Sequence, residues 1–276
     1  MNLVSCEWLY QNLKNENLCI LDCSWHLPGT NRNGKEEFGK LRIPGAIFFD
    51  IDYFSDEKSL YPHTLLNKDI FSKKVSEIGI KNSDHIICYD SLGIFSSARV
   101  CWMFKQYGHE KVSVLNGGLK NWKLNNFDTD SESPKAIQSS KYFANQEPKN
   151  VKYYNDIKSN ISKTEFQLID ARPAGRFNGT DPEPRPELKS GHIEGSKNIP
   201  FNSLINTETG CLKSKEELKK IFEKEQIVSD QDITFSCGSG VAATIAGMAF
   251  KQVFDKEFDI YDGSWTEWAL KNKLLK

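Results

Sequence analysis

The sequence predicts an α/β protein of two tandem domains, each a parallel sheet flanked by helices on both faces. Three observations predict it. The chain repeats itself once, short apolar runs alternate with stretches of helical spacing inside each copy, and a polar, Ser-rich stretch separates the copies.

Four pairs of segments carry the repeat. LCILDCSWHLPGT (18–30) parallels FQLIDARPAGRFNGT (166–180), and LRIPGAIFF (41–49) parallels GHIEGSKNIPF (191–201). HIICYDSLGIFSSARV (85–100) parallels DITFSCGSGVAATIAG (232–247), and VLNGGLKNW (114–122) parallels IYDGSWTEW (260–268). Asp22 aligns with Asp170, Gly45 with Gly195, Gly117 with Gly263 and Trp122 with Trp268, at offsets of 146 to 150. Solenoid repeats run to about 20–50 residues, so this period is a domain duplication. The expected division is 1–126, a linker over 127–150, and 151–276.

The elements of the second half read in order. FQLID (166–170) is a strand. SKEELKKIFEKE (214–225) is a helix, with Leu218, Ile221 and Phe222 on one face and Ser214 with Glu217 as a capping box. DITFS (232–236) is a second strand and VAATIAGMAFKQV (241–253) a second helix; EFDIY (257–261) and GSWTEWALKN (263–272) follow as strand and helix.

Composition excludes several classes. A formal charge of −1 lacks the basic excess of a nucleic-acid binder. No apolar run approaches the roughly 20 residues that span a bilayer, so no membrane partner is expected. The first residues carry Glu7 and Glu16, no Arg, and no basic-then-apolar signal pattern, which leads to the expectation of a cytoplasmic protein. The seven cysteines are Cys6, Cys19, Cys23, Cys88, Cys101, Cys211 and Cys237; they form no CxxC, so no metal and no cofactor is expected, and a reducing compartment fits. Most of them sit in apolar runs and read as small buried hydrophobes. Cys237 differs, because its neighbours are glycines and a serine.

Cys237 falls at a strand-to-helix turn, where parallel α/β folds bind ligands. The N–H groups of Gly238, Ser239, Gly240, Val241 and Ala242 can turn inward there, and the following helix adds its positive end. A thiol in such a loop is expected to ionise more readily than a free one. The first half places Asp90 and Ser91 at the matching point, so only one copy has the thiol.

The loop CGSGVA, with IPGAIFFDID, YDGSWTEW and GRFNGTDPEPR in the same order, resembles the two-domain rhodanese-like sulfurtransferases over nearly the whole chain. Within that family the loop is similar to that of the branch using 3-mercaptopyruvate, Cys-Gly-Ser-Gly-Val-Thr, rather than the Cys-Arg-Lys-Gly of the thiosulfate-using branch. The resemblance implies an N-terminal domain lacking the catalytic cysteine and a catalytic C-terminal one. It implies sulfur transfer from 3-mercaptopyruvate through a Cys237 persulfide to a thiol such as thioredoxin, or to cyanide, with release of pyruvate. It also implies that Arg176 and Arg185 hold the substrate carboxylate and carbonyl, and that Ser239, His63 and Asp52 form an acid–base set at a site between the domains. Physically, guanidinium suits a carboxylate beside a ketone. Gly238 and Ser239 add no charge for a compact dianion, so thiosulfate is expected to be a poor donor. Three departures stand out: Ala242 replaces the usual Thr, Arg42 replaces a His, and HIEGS replaces Pro-Gly-Ala. The last two are expected to be structural variations away from the chemistry.

Rival readings are a thiosulfate-preferring rhodanese and a non-catalytic, persulfide-sensing interaction module. A cysteine phosphatase of this fold needs an arginine six residues after the cysteine, where this chain has Ala243.

Overall fold

The computed structural model describes residues 2–132, 137–228 and 230–276. Two compact units emerge. Unit 1 comprises residues 1–55, 65–149 and 207–211; unit 2 comprises 56–64, 150–206 and 212–276.

Unit 1 contains β1 (Asn2–Val4), α1 (Cys6–Asn12), β2 (Leu18–Asp22), α2 (Gly34–Lys40), β3 (Ile47–Phe48) and α3 (Lys68–Glu77). It continues with β4 (His85–Tyr89), α4 (Ser96–Gln106), β5 (Val112–Leu115) and α5 (Gly118–Leu124). Unit 2 contains β6 (Val151–Lys152), α6 (Tyr154–Lys163), β7 (Gln167–Asp170), α7 (Ala174–Asn178) and β8 (Lys197–Asn198). Then come α8 (Lys215–Lys224), β9 (Ile233–Ser236), α9 (Ala243–Phe254), β10 (Asp259–Tyr261) and α10 (Ser264–Lys271).

Each unit holds one five-stranded sheet, in the orders β1-β5-β4-β2-β3 and β6-β10-β9-β7-β8, and the strand pairings are parallel. The predicted fold class is therefore the observed one. The central strands read as apolar runs because both faces are covered; Ile86, Ile87, Cys88 and Tyr89 are all fully buried. In each unit the chain runs on in opposite directions from two adjacent strands. β2 is followed by β3 on one side and β4 by β5 on the other, and β7 and β9 do the same. That reversal opens a crevice at the carboxyl ends of the two central strands.

Local signals position the helices. Ser214 accepts a hydrogen bond from Glu217 N while the Glu217 side chain accepts from Ser214 N, the expected capping box at the start of α8. α9 is apolar on all sides and buried from Ala243 to Phe250. It begins two residues later than its apolar pattern, because Gly240 at φ +76° turns the chain and residues 241–242 complete the turn before regular helix starts. The sequence reading missed the edge strands β1 and β6 and the two-residue strands β3 and β8, which are too short to show a period.

The stretch expected to be a linker is laid along unit 1, apart from residues 133–136, which lie outside the described residues. The Phe127 ring stacks on Tyr10 at 4.5 Å, Tyr142 is buried, and Asn145 N donates to Tyr107 O. Arg42 is 2 % exposed, pairs with Asp130 at 2.8 Å and donates to Glu132 O. The residue that departs from the family pattern thus fastens this stretch to its unit.

Candidate active site

Strand β9 delivers Cys237 to the carboxyl end of the unit 2 sheet, where the residue is 3 % exposed. The start of α10 grips the loop from behind. Cys237 N donates to Ser264 Oγ (3.2 Å), which itself donates to Tyr261 O (2.8 Å). Cys237 O accepts from Trp265 N, and Gly238 O accepts from both Thr266 N (3.1 Å) and Thr266 Oγ1 (2.7 Å). Ser264 adopts φ +50°, a costly conformation for a residue with a Cβ, held by these bonds. This clamp went unnoticed in the sequence reading, although its signal, YDGSWTEW, had been found.

The other side of the loop is unspent. Among the described residues, the N–H groups of Gly238, Ser239, Val241 and Ala242 make no hydrogen bond within the protein. Buried main-chain donors normally have partners, so the arrangement suits an anion centred on the Cys237 sulfur. Ala242 precedes α9 without a side-chain cap, which leaves that helix end available to the same anion.

His63 reaches this loop. It belongs to the first half by chain order, yet the structure groups it with unit 2. It is 2 % exposed at φ +62°, and its Nδ1 lies 3.0 Å from Ser239 Oγ and 3.4 Å from Ser239 O. Ser239 is itself buried. Asp52 belongs to unit 1, where it is exposed and accepts from Trp25 Nε1 at 3.1 Å.

The two arginines differ. Arg176 stands on α7 and is tied to Glu183 by Nε and Nη2. Glu183 is buried and also accepts from Arg172 Nη1 at 2.8 Å. Arg172 in turn pairs with Asp170 at 2.6 Å, donates to Gly191 O and lies over the Trp265 ring. This Asp170–Arg172–Glu183–Arg176 chain fixes Arg176 rigidly. A Cβ on Gly238 would come within 2.9 Å of Arg176 Nη2, so a glycine at 238 keeps the guanidinium against the cysteine loop. Arg172 and Glu183 were absent from the sequence reading, because buried ion pairs leave no periodic trace. Arg185 is half-buried, and among the described residues its guanidinium forms no hydrogen bond or ion pair. Burial lowers its pKa; Glu187 opposes this and Arg176 adds to it, with Cys237 and Glu183 among the other charges that reach it. An arginine without a hydrogen-bonded carboxylate, within electrostatic range of Cys237, is equipped for an anionic ligand.

The rhodanese-like domain model matches residues 5–125 and again 154–271. The chain belongs to the rhodanese-like family. It is 42 % identical over 292 aligned positions to thiosulfate/3-mercaptopyruvate sulfurtransferase 1, mitochondrial, of Arabidopsis thaliana, spanning 99 % of this chain and 77 % of that one. It is 38 % identical to human 3-mercaptopyruvate sulfurtransferase, spanning 98 % and 92 %. The crystal structure of SseA from Escherichia coli, described under 3-mercaptopyruvate sulfotransferases, superposes with a TM-score of 0.86 at 34 % identity, covering 95 % of this chain and 98 % of that one. Both rhodanese-like units are thus present, and the cysteine loop lies in the second. Among the described residues no group of His, Cys, Asp and Glu is arranged to hold a metal, and no helix is long and apolar enough to cross a membrane.

Proposed function

We propose that this protein is a sulfurtransferase that moves sulfur from 3-mercaptopyruvate to a thiol acceptor, thioredoxin-like or small, or to cyanide, and releases pyruvate. The observation that carries the reading is the buried Cys237 inside a loop of unspent N–H donors, with the unpaired Arg185 within electrostatic reach.

In the first half-reaction the Cys237 thiolate attacks the donor's sulfur. An S–S bond forms, the C–S bond breaks, and its electron pair leaves on the pyruvate fragment as an enolate. The proton of the donor's thiol passes to the enolate carbon, giving pyruvate. Ser239 relays that proton in this reading, supported by His63 Nδ1 at 3.0 Å from its Oγ; Asp52 as the partner of His63 rests on family resemblance. Arg185 and Arg176 hold the carboxylate and ketone. The outer sulfur of the persulfide is anionic and occupies the nest of loop N–H groups. In the second half-reaction the acceptor thiolate attacks that sulfur, and Cys237 leaves as the thiolate with which the cycle began.

Thiosulfate is the second reading, favoured by the name of the Arabidopsis relative. The loop argues against it as the preferred donor: Gly238 brings no charge, and Arg176 occupies the space a larger side chain would need. The seven free thiols fit a reducing setting, and the cytosol is the location proposed.

The test compares kcat/KM for the two donors on purified protein and weighs the intact chain after exposure to mercaptopyruvate alone. A preference for mercaptopyruvate, pyruvate release and a gain of one sulfur on Cys237 that Cys237→Ser lacks are expected. An unmodified chain would overturn the mercaptopyruvate reading and leave the thiosulfate and interaction-module readings, which exposure to thiosulfate then separates.

A further inference from the structure

Unit 1 has its own crevice at the carboxyl ends of its central strands, and nothing in the proposed chemistry uses it. A cavity of about 600 Å³ opens there, between the ends of β2 and β4, helix α2 and helix α5. That is ample room for a small organic molecule.

The walls have an order from inside to outside. At the inner end lie Asp22, 1 % exposed, and Ser24, 5 % exposed, with Ser91 beside them. Ser24 Oγ accepts from Ser91 N at 3.0 Å, and Asp22 Oδ1 accepts from Ser24 N at 2.9 Å. Phe38, Leu41 and Leu119 supply an apolar middle, and the exposed Leu124 an apolar edge. Lys40, Lys120 and Lys123 complete the lining on the outward side. Among the described residues none of the three lysines pairs with a carboxylate; Lys120 Nζ donates only to Thr207 O. Of the remaining charged groups, Glu37 is held by Arg32 at 2.7 Å and by His26 at 3.0 Å, and the Asp22 carboxyl lies at the buried inner end.

The equivalent crevice of unit 2 is filled. Arg172 stands where unit 1 has Ser24, and its guanidinium is locked between Asp170 and Glu183. The small hydroxyl in unit 1 leaves the space open.

We infer that the crevice of unit 1 is a binding site for an organic anion: a carboxylate or phosphate facing Lys40, Lys120 and Lys123, an apolar body against Phe38 and Leu119, and a hydrogen-bond donor reaching toward Asp22. The site is independent of Cys237 and adds a ligand-recognising role to the unit that lacks the thiol.

The experiment follows leucine methyl resonances of the full chain while phenyl phosphate or 3-phenylpropionate is added, with inorganic phosphate and benzyl alcohol as the two halves of the ligand. Saturable shifts of Leu41, Leu119 and Leu124 with at least one organic anion are expected, and the stronger of the two identifies the acidic group preferred. The Lys40→Glu/Lys120→Glu/Lys123→Glu variant, whose spectrum away from the crevice reports its folding, is expected to bind at least tenfold more weakly. Lys123→Glu alone, on an exposed position, is expected to weaken binding by a smaller factor. No saturable shift with either anion would overturn the inference. So would affinity that survives charge reversal, or inorganic phosphate or benzyl alcohol binding as well as the whole probe.

Discussion

Asp90 and Cys237 occupy the same position in the two copies of the domain, the first residue after the central strand, and each sits at the mouth of a loop rich in main-chain donors. In unit 1 the loop is closed on itself. Asp90 is 1 % exposed; its Oδ2 accepts from Phe95 N (2.7 Å), Ser97 N (3.0 Å) and Ser97 Oγ (2.6 Å), and its Oδ1 accepts from Leu92 N (3.0 Å). The carboxyl oxygens fill the loop from within and also cap the first turn of α4. In unit 2 the corresponding donors are left open around a sulfur. The comparison teaches that the anion-binding loop belongs to the fold, whereas the chemistry belongs to whichever group provides the negative charge. A carboxylate satisfies the loop and is inert; a thiolate satisfies it less well and can take on another atom.

The sharpest way to break this comparison is to make the loops alike. Cys237→Asp is expected to lower sulfur transfer by roughly a thousandfold or more, since no nucleophile remains. The same change should raise the melting temperature, as the carboxylate takes up donors that are idle in the parent; a melting temperature that falls would show that those N–H groups do not form a nest. Next in size is Asp90→Ala, which strands three N–H groups and a hydroxyl. A loss of about 3 kcal/mol in unfolding free energy is expected, read by denaturant titration, with transfer per folded molecule unchanged.

Arg185→Ala sharpens the donor side. Losing one charge-assisted contact of about 2 kcal/mol should raise the mercaptopyruvate KM by about thirtyfold. The thiosulfate KM should move much less, and equal effects on both donors would remove Arg185 from carboxylate binding. The smallest effect concerns the paired strand-end aspartates. Asp170 has Arg172 as its partner, whereas Asp22 has only hydroxyl and N–H donors, and burial pushes its carboxyl up to about 6. A folded-state value above the unfolded one means that the native protein holds the proton more tightly. Asp22 therefore favours folding at pH values below about 4, and that contribution is lost as pH rises toward 6. Asp22→Asn is expected to remove this downward slope from the stability profile between pH 4 and 6; an unchanged slope would place its origin elsewhere.

Much of this was legible in the residues. The duplication, the parallel sheets, the capping box at Ser214 and the singular character of Cys237 all follow from spacing and composition, because period and turn chemistry are local properties. The pairing of His63 with Ser239 was reached through resemblance alone, since 176 positions separate the two and no local pattern links them. Arg176 was identified, but its fixation was not: Glu183 is an ordinary acidic residue on a polar stretch until the fold buries it between two guanidinium groups. The crevice of unit 1 was equally hidden, because its contents depend on the smallness of Ser24 where the other copy has Arg172.

The closeness of Gly238 to Arg176 has a bearing on how such enzymes could be redesigned. A side chain added at 238 meets Arg176 Nη2 first, a guanidinium anchored through Glu183 to Arg172. Loop and anchor are mechanically one part, so their substitutions are expected to be strongly non-additive. A change of sulfur donor is therefore expected to couple substitutions on β9's turn with substitutions on α7.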